Sequence, residues 1–151
     1  MGKFVFQNAY FAIDSTAAVN RVLSTYVKSI TLNYSRAEVD STCMGDEGIA
    51  RMAGLRDWSM DLEFAQDYGS SAVDRVMFGA LGSTAATATV WFSPTTNAIS
   101  ASNPRYKGEG RVFEYTPASG SPGDFGTATA SIRCAACSSE PTAWLYRDIT
   151  P

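Results

Sequence analysis

The dominant signal along the chain is an alternation of apolar and polar positions with period two, the signature of a strand with one buried face. Between Tyr26 and Tyr34 the residues Tyr26, Ile30, Leu32 and Tyr34 are apolar and Ser29, Thr31 and Asn33 polar, with Lys28 interrupting the apolar face near one end. Between Trp58 and Tyr68 the pattern is cleaner, setting Trp58, Met60, Leu62, Phe64 and Tyr68 against Asp57, Asp61, Glu63 and Asp67. Ala88, Val90 and Phe92 make a shorter run closed by Pro94, and Tyr106–Thr116 is strand-like in its Val, Phe and Tyr. Phe125–Ala135 places Ala128, Ala130, Ile132 and Cys134 opposite Thr127, Thr129, Ser131 and Arg133, and Pro117–Asp124 before it has the Pro, Gly and Ser of a turn. These five segments, with room for another strand before Tyr26, predict a mainly β fold. An antiparallel β-sandwich or partial barrel is expected, because so many one-sided strands must close over each other.

One segment changes period. Val73, Val76, Met77, Ala80 and Leu81 follow the i, i+3, i+4, i+7 spacing of a helix with one apolar stripe, which predicts a flanking helix over 71–81. Ser71 with Asp74 resembles a capping box, and Gly82 stands where a helix-ending glycine is expected. Arg36–Arg56 shows no sustained period and is far longer than the usual connection of ~4–6 residues, so a long interacting loop is expected there. The tail 136–151 carries Trp144, Leu145 and Tyr146, aromatic surface that should dock on its own domain or on a neighbour.

A length of 151 residues suits one domain. The 12 Lys plus Arg against 15 Asp plus Glu leave a net charge of −3, scattered rather than clustered, which lacks the basic footprint of a nucleic-acid grip. Histidine is absent, which removes Ser-His and Cys-His nucleophile arrangements. There is no phosphate-cradling glycine loop and no nucleophile elbow, so neither catalysis nor a cofactor is expected. The beginning of the chain has no signal-peptide apolar region and no stretch is long enough to span a membrane, and three cysteines are too few for a disulfide scaffold. A reducing cytoplasm is therefore the expected site of synthesis. Cys134 and Cys137 form a C-x-x-C pair, but zinc would need two further ligands and only Cys43 remains, so no metal site is expected.

The acidic row Asp57, Asp61, Glu63 and Asp67 is expected on one face of one strand, about 6.8 Å per two-residue step. Three roles are open to it: a carboxylate pair for glycoside hydrolysis, a solvated strand face, or a surface that repels polyanions.

Three pieces in order, Glu38-Val39-Asp40-x-Thr42 with Gly45-Asp46, then Ala53-Gly54-Leu55-Arg56-Asp57-Trp58-Ser59, then Val73-Asp74 with Phe78 and Leu81, together with the stretch from Asn103 to Ile132, resemble the tail tube proteins of long-tailed bacteriophages, the siphophage major tail proteins. The resemblance spans roughly Ser29 to Ile132, and it rests on order and spacing rather than on any strict signature. It implies a β-sandwich or partial barrel with one flanking helix, a long loop and terminal arms (the N-terminal arm or strand being 1–25). It also implies a non-enzymatic structural subunit of the virion tail, held in the host cytoplasm during assembly, that forms hexameric rings stacked into a conduit for genome delivery. The implied partners are further copies of the chain, the tape-measure, tail terminator and distal tail proteins, and double-stranded DNA passing without specific binding.

On that basis loop 36–56 is expected to carry subunit contacts through Glu38, Asp40, Thr42, Met44, Asp46, Arg51 and Arg56, and the acidic row to line the bore. The alternatives are another virion protein, such as a tail terminator or capsid decoration protein, and a carbohydrate-binding β-sandwich stacking sugars on Trp58, Trp91 or Trp144.

Overall fold

The alternating segments become strands of one antiparallel sheet that rolls over itself. The computed structural model describes residues 8–14, 19–83, 87–135 and 145–150. Its elements in chain order are β1 (Tyr10–Asp14), β2 (Asn20–Val22), β3 (Val27–Asp40), β4 (Arg51–Ala65), α1 (Val73–Gly82), β5 (Ala88–Ser93), β6 (Arg105–Ser119), β7 (Thr127–Cys134) and β8 (Tyr146–Asp148). The strand order is β2-β1-β5-β6-β7-β4-β3, with β8 added beside the start of β6. The sheet is not closed, and β2 and β3 are its ends. It curls far enough that Phe11 of β1 meets Phe64 of β4, their ring centroids 6.0 Å apart, although three strands separate β1 from β4 along the sheet. This is the partial-barrel form of the expected architecture. The strand foreseen before Tyr26 is a pair, β1 with β2.

Strand β6 belongs to both halves of the roll. Its first part pairs with β5 from Tyr106 to Gly110, and its second part with β7 from Gly110 to Ser119. The apolar alternation of the sequence supplies the interior: Met60, Leu62 and Phe64 of β4, Val90 and Phe92 of β5, Val112 of β6, and Ala128, Ala130 and Ile132 of β7 are buried together with Phe11, Ile13 and Leu23. Removing each large side chain of this set from water contributes roughly 1.5–3 kcal/mol. The glycine needed at the β6–β7 turn is Gly123, whose φ of 95° is a conformation that L side chains rarely adopt.

Breaks in the alternation are β-bulges. Val27 pairs with Phe64 and Ser29 with Glu63, so Lys28 is the extra residue, which is why it interrupts an otherwise apolar face. Phe113 has the same place in β6, between Val112 opposite Ile132 and Glu114 opposite Ser131.

The helix forms where its period indicates, shifted slightly, and buries Val73, Val76 and Met77 in the core. The expected capping box does not form. The N-cap is Ala72 and has no side-chain cap, because Asp74 accepts a hydrogen bond from the Tyr115 hydroxyl (3.1 Å) and Ser71 one from Arg21 (3.3 Å). Gly82 is the last helical residue, and the chain leaves through Ser83 in an extended conformation, with no left-handed glycine cap.

The C-terminal tail docks on its own domain, where Tyr146, Arg147 and Asp148 pair with Lys107, Tyr106 and Arg105. Residues 136–144 of that tail, with Cys137 and Trp144, lie outside the described residues, as do 1–7 of the N-terminal arm. Among the described residues no helix is long and apolar enough to cross a membrane.

The region 36–56 departs from expectation. It is not one long loop: β3 and β4 continue through it as a paired ladder, Arg36 opposite Arg56, Glu38 opposite Ala53, Val39 opposite Met52 and Asp40 opposite Arg51. Only 41–50 connects the strands. Strand β7 accompanies β4 no further than Ser59, so the hairpin projects from the sheet with neither edge paired among the described residues.

Candidate functional site

Two surfaces stand out, both built by β3 and β4. The first is the solvent face of the strands β3, β4, β7 and β6, opposite the core. Since Trp58, Met60, Leu62 and Phe64 point inward, Asp57, Ser59, Asp61 and Glu63 must point outward. Register aligns them in rows across the sheet: Thr31, Asp61, Ser131 and Glu114 in one, Ser29, Glu63, Thr129 and Thr116 in the next, and Asn33, Ser59, Arg133 and Arg111 in a third. Asp61 accepts a hydrogen bond from the Ser131 hydroxyl at 2.8 Å, and Glu63 meets the Lys28 ammonium at 3.1 Å. Lys28 reaches it because the bulge turns its side chain out of the apolar series. Asp61, Glu63 and Glu114 line a shallow depression with short hydroxyl side chains between them.

Three of the four expected acidic residues therefore share a face, and Asp67 does not. Strand β4 ends at Ala65, and Asp67 lies in the connection to the helix. There its carboxylate accepts the Gly69 amide at 2.8 Å and its carbonyl accepts the Asp74 amide at 3.3 Å. The Asp67 carboxylate also raises the Tyr26 phenol above its ordinary range, by its charge first and by a hydrogen bond second. A strand-period count cannot detect where a strand stops, so it extends the acidic row one step too far, to Asp67. Glu114 takes the fourth acidic place instead, hidden from the sequence because the Phe113 bulge shifts the phase of β6. The face also carries Arg133 beside Arg111, basic side chains that tertiary pairing alone brings together.

The second surface is the hairpin. Along β3 the residues Ile30, Leu32 and Tyr34 point to the core side, and the same side continues as Arg36, Glu38 and Asp40. The opposite side runs Thr31, Asn33 and Ser35 and then Ala37 and Val39. The polarity of the two faces reverses at Arg36. Beyond it the core side is charged, with a Glu38–Arg51 ion pair at 2.5 Å, and Arg36 donates to the Gly54 carbonyl at 2.9 Å. The other side carries Val39 opposite Met52, 48% and 62% exposed. Strand β4 bulges between Arg56 and Ala53, and Gly54 lies there under Val39 and Ala37; a Cβ at Gly54 would stand 3.0 Å from the Val39 side chain.

The tip is ordered by its own polar groups. Asp40 accepts from both the amide (2.8 Å) and the hydroxyl (2.5 Å) of Thr42, Thr42 accepts the Ala50 amide (3.0 Å), and Asp46 accepts the Cys43 amide (2.7 Å). The two Thr42 contacts hold the Asp40 carboxyl below its usual range. At the tip Met44 is fully exposed and Ile49 largely so. All seven expected contact residues, Glu38, Asp40, Thr42, Met44, Asp46, Arg51 and Arg56, lie on this hairpin, with Glu38, Asp40, Arg51 and Arg56 on its charged side.

The carbohydrate platform loses its first member, because Trp58 is 2% exposed and its ring lies on β6 within the core. Trp91 is half-buried with the Lys107 ammonium 5.8 Å from its ring centroid. Of the C-x-x-C pair, Cys134 is half-buried at the end of β7.

No protein-family model matches the chain, and no curated protein does. Solved structures do. The fold is that of tail tube proteins. The tail of an empty gene transfer agent particle, determined with helical refinement and C6 symmetry, superposes with a TM-score of 0.65 at 12% identity, covering 96% of this chain and 99% of that one. The SPP1 tail tube superposes with a TM-score of 0.66 at 11% identity, over 87% of this chain and 75% of that one. A chain of the anti-feeding prophage baseplate superposes with a TM-score of 0.57 at 10% identity, over 88% and 92%. At such identities the likeness is one of fold.

Proposed function

We propose that the chain is a structural subunit of a bacteriophage tail tube, non-enzymatic, assembling with its own copies into hexameric rings that stack into a conduit for genome delivery. The observation that carries this is the match of nearly the whole chain to tail tube folds, joined to a projecting hairpin with apolar side chains and, among the described residues, neither edge paired. In this role hairpin 36–56 makes the subunit contacts, and the virion tail is where the protein ends. Tape-measure, terminator and distal tail proteins are its expected neighbours.

The polar face of β3, β4, β7 and β6 lines the bore. Asp57, Asp61, Glu63 and Glu114 outnumber Lys28, Arg111 and Arg133 there, and the hydroxyl side chains between them offer DNA no continuous basic track. Duplex DNA carries one negative charge per about 1.7 Å of axis, so a bore of Lys and Arg would hold the genome while an acidic, hydroxyl-rich one lets it pass.

Negative-stain electron microscopy of the purified protein tests the assignment. Rings or hollow tubes, alone or on isolated tails, are the expected result. A monomer that never joins tails at high concentration overturns it, and carboxylates on the outer radius of an assembled tube overturn the bore assignment.

A further inference from the structure

We infer that Arg111 and Arg133, directly opposed across the β6–β7 ladder, together bind a phosphate oxyanion on the polar face. The site rests on this pair alone; that the phosphate belongs to DNA passing along a bore rests on the tail-tube assignment.

Pairing sets Arg111 of β6 opposite Arg133 of β7, in a row continued by Ser59 and Asn33. Like charges in that position destabilise a sheet. Among the described residues neither guanidinium has an ion pair or a hydrogen bond. The acids of the same face are engaged elsewhere or lie in other rows. Glu63 meets Lys28, Asp61 takes the Ser131 hydroxyl, and the bulge at Phe113 puts Glu114 in the row of Asp61. Asp57 and Glu109 stand opposite Ser35 and Thr89.

Arg111 adds an independent observation. Its Nε is buried and has no acceptor, although the side chain as a whole is only half-buried. A buried donor left unpaired is costly. Nε–H with one Nη–H is the side-on fork of a guanidinium, which matches two oxygens of one oxyanion. Arg133 is exposed and can close on the same anion from the neighbouring strand, and the Ser59 hydroxyl and Asn33 amide extend the row with further donors.

The chemistry of the pair selects phosphate over carboxylate. One fork satisfies both oxygens of a planar carboxylate, whereas a tetrahedral phosphate has oxygens to spare for the second guanidinium. The grip is also local. Asp61 with Glu114 and then Glu63 follow on one side of the row and Asp57 on the other, so a polyanion held at this level is repelled at the next.

Inorganic phosphate, titrated against chloride at constant ionic strength, tests the site on the whole protein. The thermal midpoint of wild type should rise by about 3–5 °C at ten times the dissociation constant and then level off. Arg111→Gln and Arg133→Gln should each lose that saturable rise. An equal rise in either variant, or no saturation in wild type, overturns the site. Virions carrying both substitutions identify the source of the phosphate: if DNA supplies it, the rate of DNA release should depend less steeply on salt than in wild type. An unchanged salt dependence assigns the site to free phosphate and overturns the DNA contact. A protein that binds phosphate but never joins isolated tails overturns the tail-tube assignment and leaves the site standing. Tubes from a wild type that ignores phosphate overturn the site alone.

Discussion

The indole of Trp58 on β4 lies against Gly110 on β6, so close that a Cβ at Gly110 would stand 2.8 Å from Trp58 Cη2 and 2.7 Å from Ile132 Cγ2. Gly108 receives the same ring, with Cζ2 at 2.9 Å from its would-be Cβ. Gly110 is also where β6 changes partner from β5 to β7. The glycines thus admit the largest core side chain at the seam of the roll. Gly110→Ala should destabilise the domain by about 1–3 kcal/mol in urea unfolding, the usual cost of overpacking. Adding Trp58→Phe should recover part of that loss, since the two residues are in contact and their effects should not add. An additive double variant would mean that the ring can move away.

Tyr115 joins three elements. Its hydroxyl donates to Asp74 of the helix (3.1 Å) and accepts from Gln66 (3.1 Å), whose amide nitrogen also donates to the Pro117 carbonyl. Burial first, and then the Asp74 carboxylate, push the phenol up to about 12, against the Gln66 hydrogen bond that pulls it down. A folded-state value raised above the ordinary 10.0 means that the stabilisation is full below pH 10 and is lost as pH rises towards 12. Tyr115→Phe should cost about 0.5–1.5 kcal/mol at neutral pH and flatten the alkaline fall in stability. Ultraviolet titration of tyrosinate should lose its step near pH 12 in this variant, and retention of that step would assign it to another tyrosine.

The hairpin tip should respond to acid. Asp40 is held below 3.8 by the Thr42 hydroxyl and amide, so its contribution to tip order is present above that value and is lost as pH falls through the lowered one. Thr42→Val keeps the amide and removes the hydroxyl, and should move the Asp40 carboxyl up towards 3.8. Carbon-detected NMR titration of the side-chain carboxyl reads the change directly. An unmoved Asp40 would assign the depression to the amide alone.

If the polar face lines the bore, neutralising it should leave assembly intact and impair passage. Asp57→Asn, Asp61→Asn and Glu63→Gln together leave Glu114 against Lys28, Arg111 and Arg133, reversing the balance of the face. Tubes of normal length with slower DNA release from virions are expected, measured by dye accessibility of the genome after triggering. Unchanged release would reject the role, and failed assembly would place the face in a subunit contact.

Deleting 42–49, the tip beyond the paired strands, should leave a folded monomer with wild-type circular dichroism, because no core residue lies there. Full-length tubes from this variant would confine the contacts to the paired arms of the hairpin.

Much of the fold was legible in the order of the amino acids because strand and helix periods differ, and the core is built from the residues that keep them. Met60, Leu62 and Phe64 face inward, as do Val73, Val76 and Met77, since no other placement buries one side of each element. Asp57, Asp61 and Glu63 take the opposite side for the same reason. What period alone could not determine lies where the ladder shifts or ends. The stretch 36–56 looked aperiodic because its apolar phase reverses at Arg36 and β4 bulges at Gly54, and only pairing across the ladder reveals two good strands. Glu114 joined the acidic face because a bulge at Phe113 turned it, and Asp67 left it because β4 stopped at Ala65. Capping went the same way: Asp74 had a stronger claim from Tyr115, distant in sequence and adjacent only after the sheet has rolled. Side-chain period is a local property of each strand, whereas register, bulges and competition for polar partners are settled between strands, and there the tertiary structure decided.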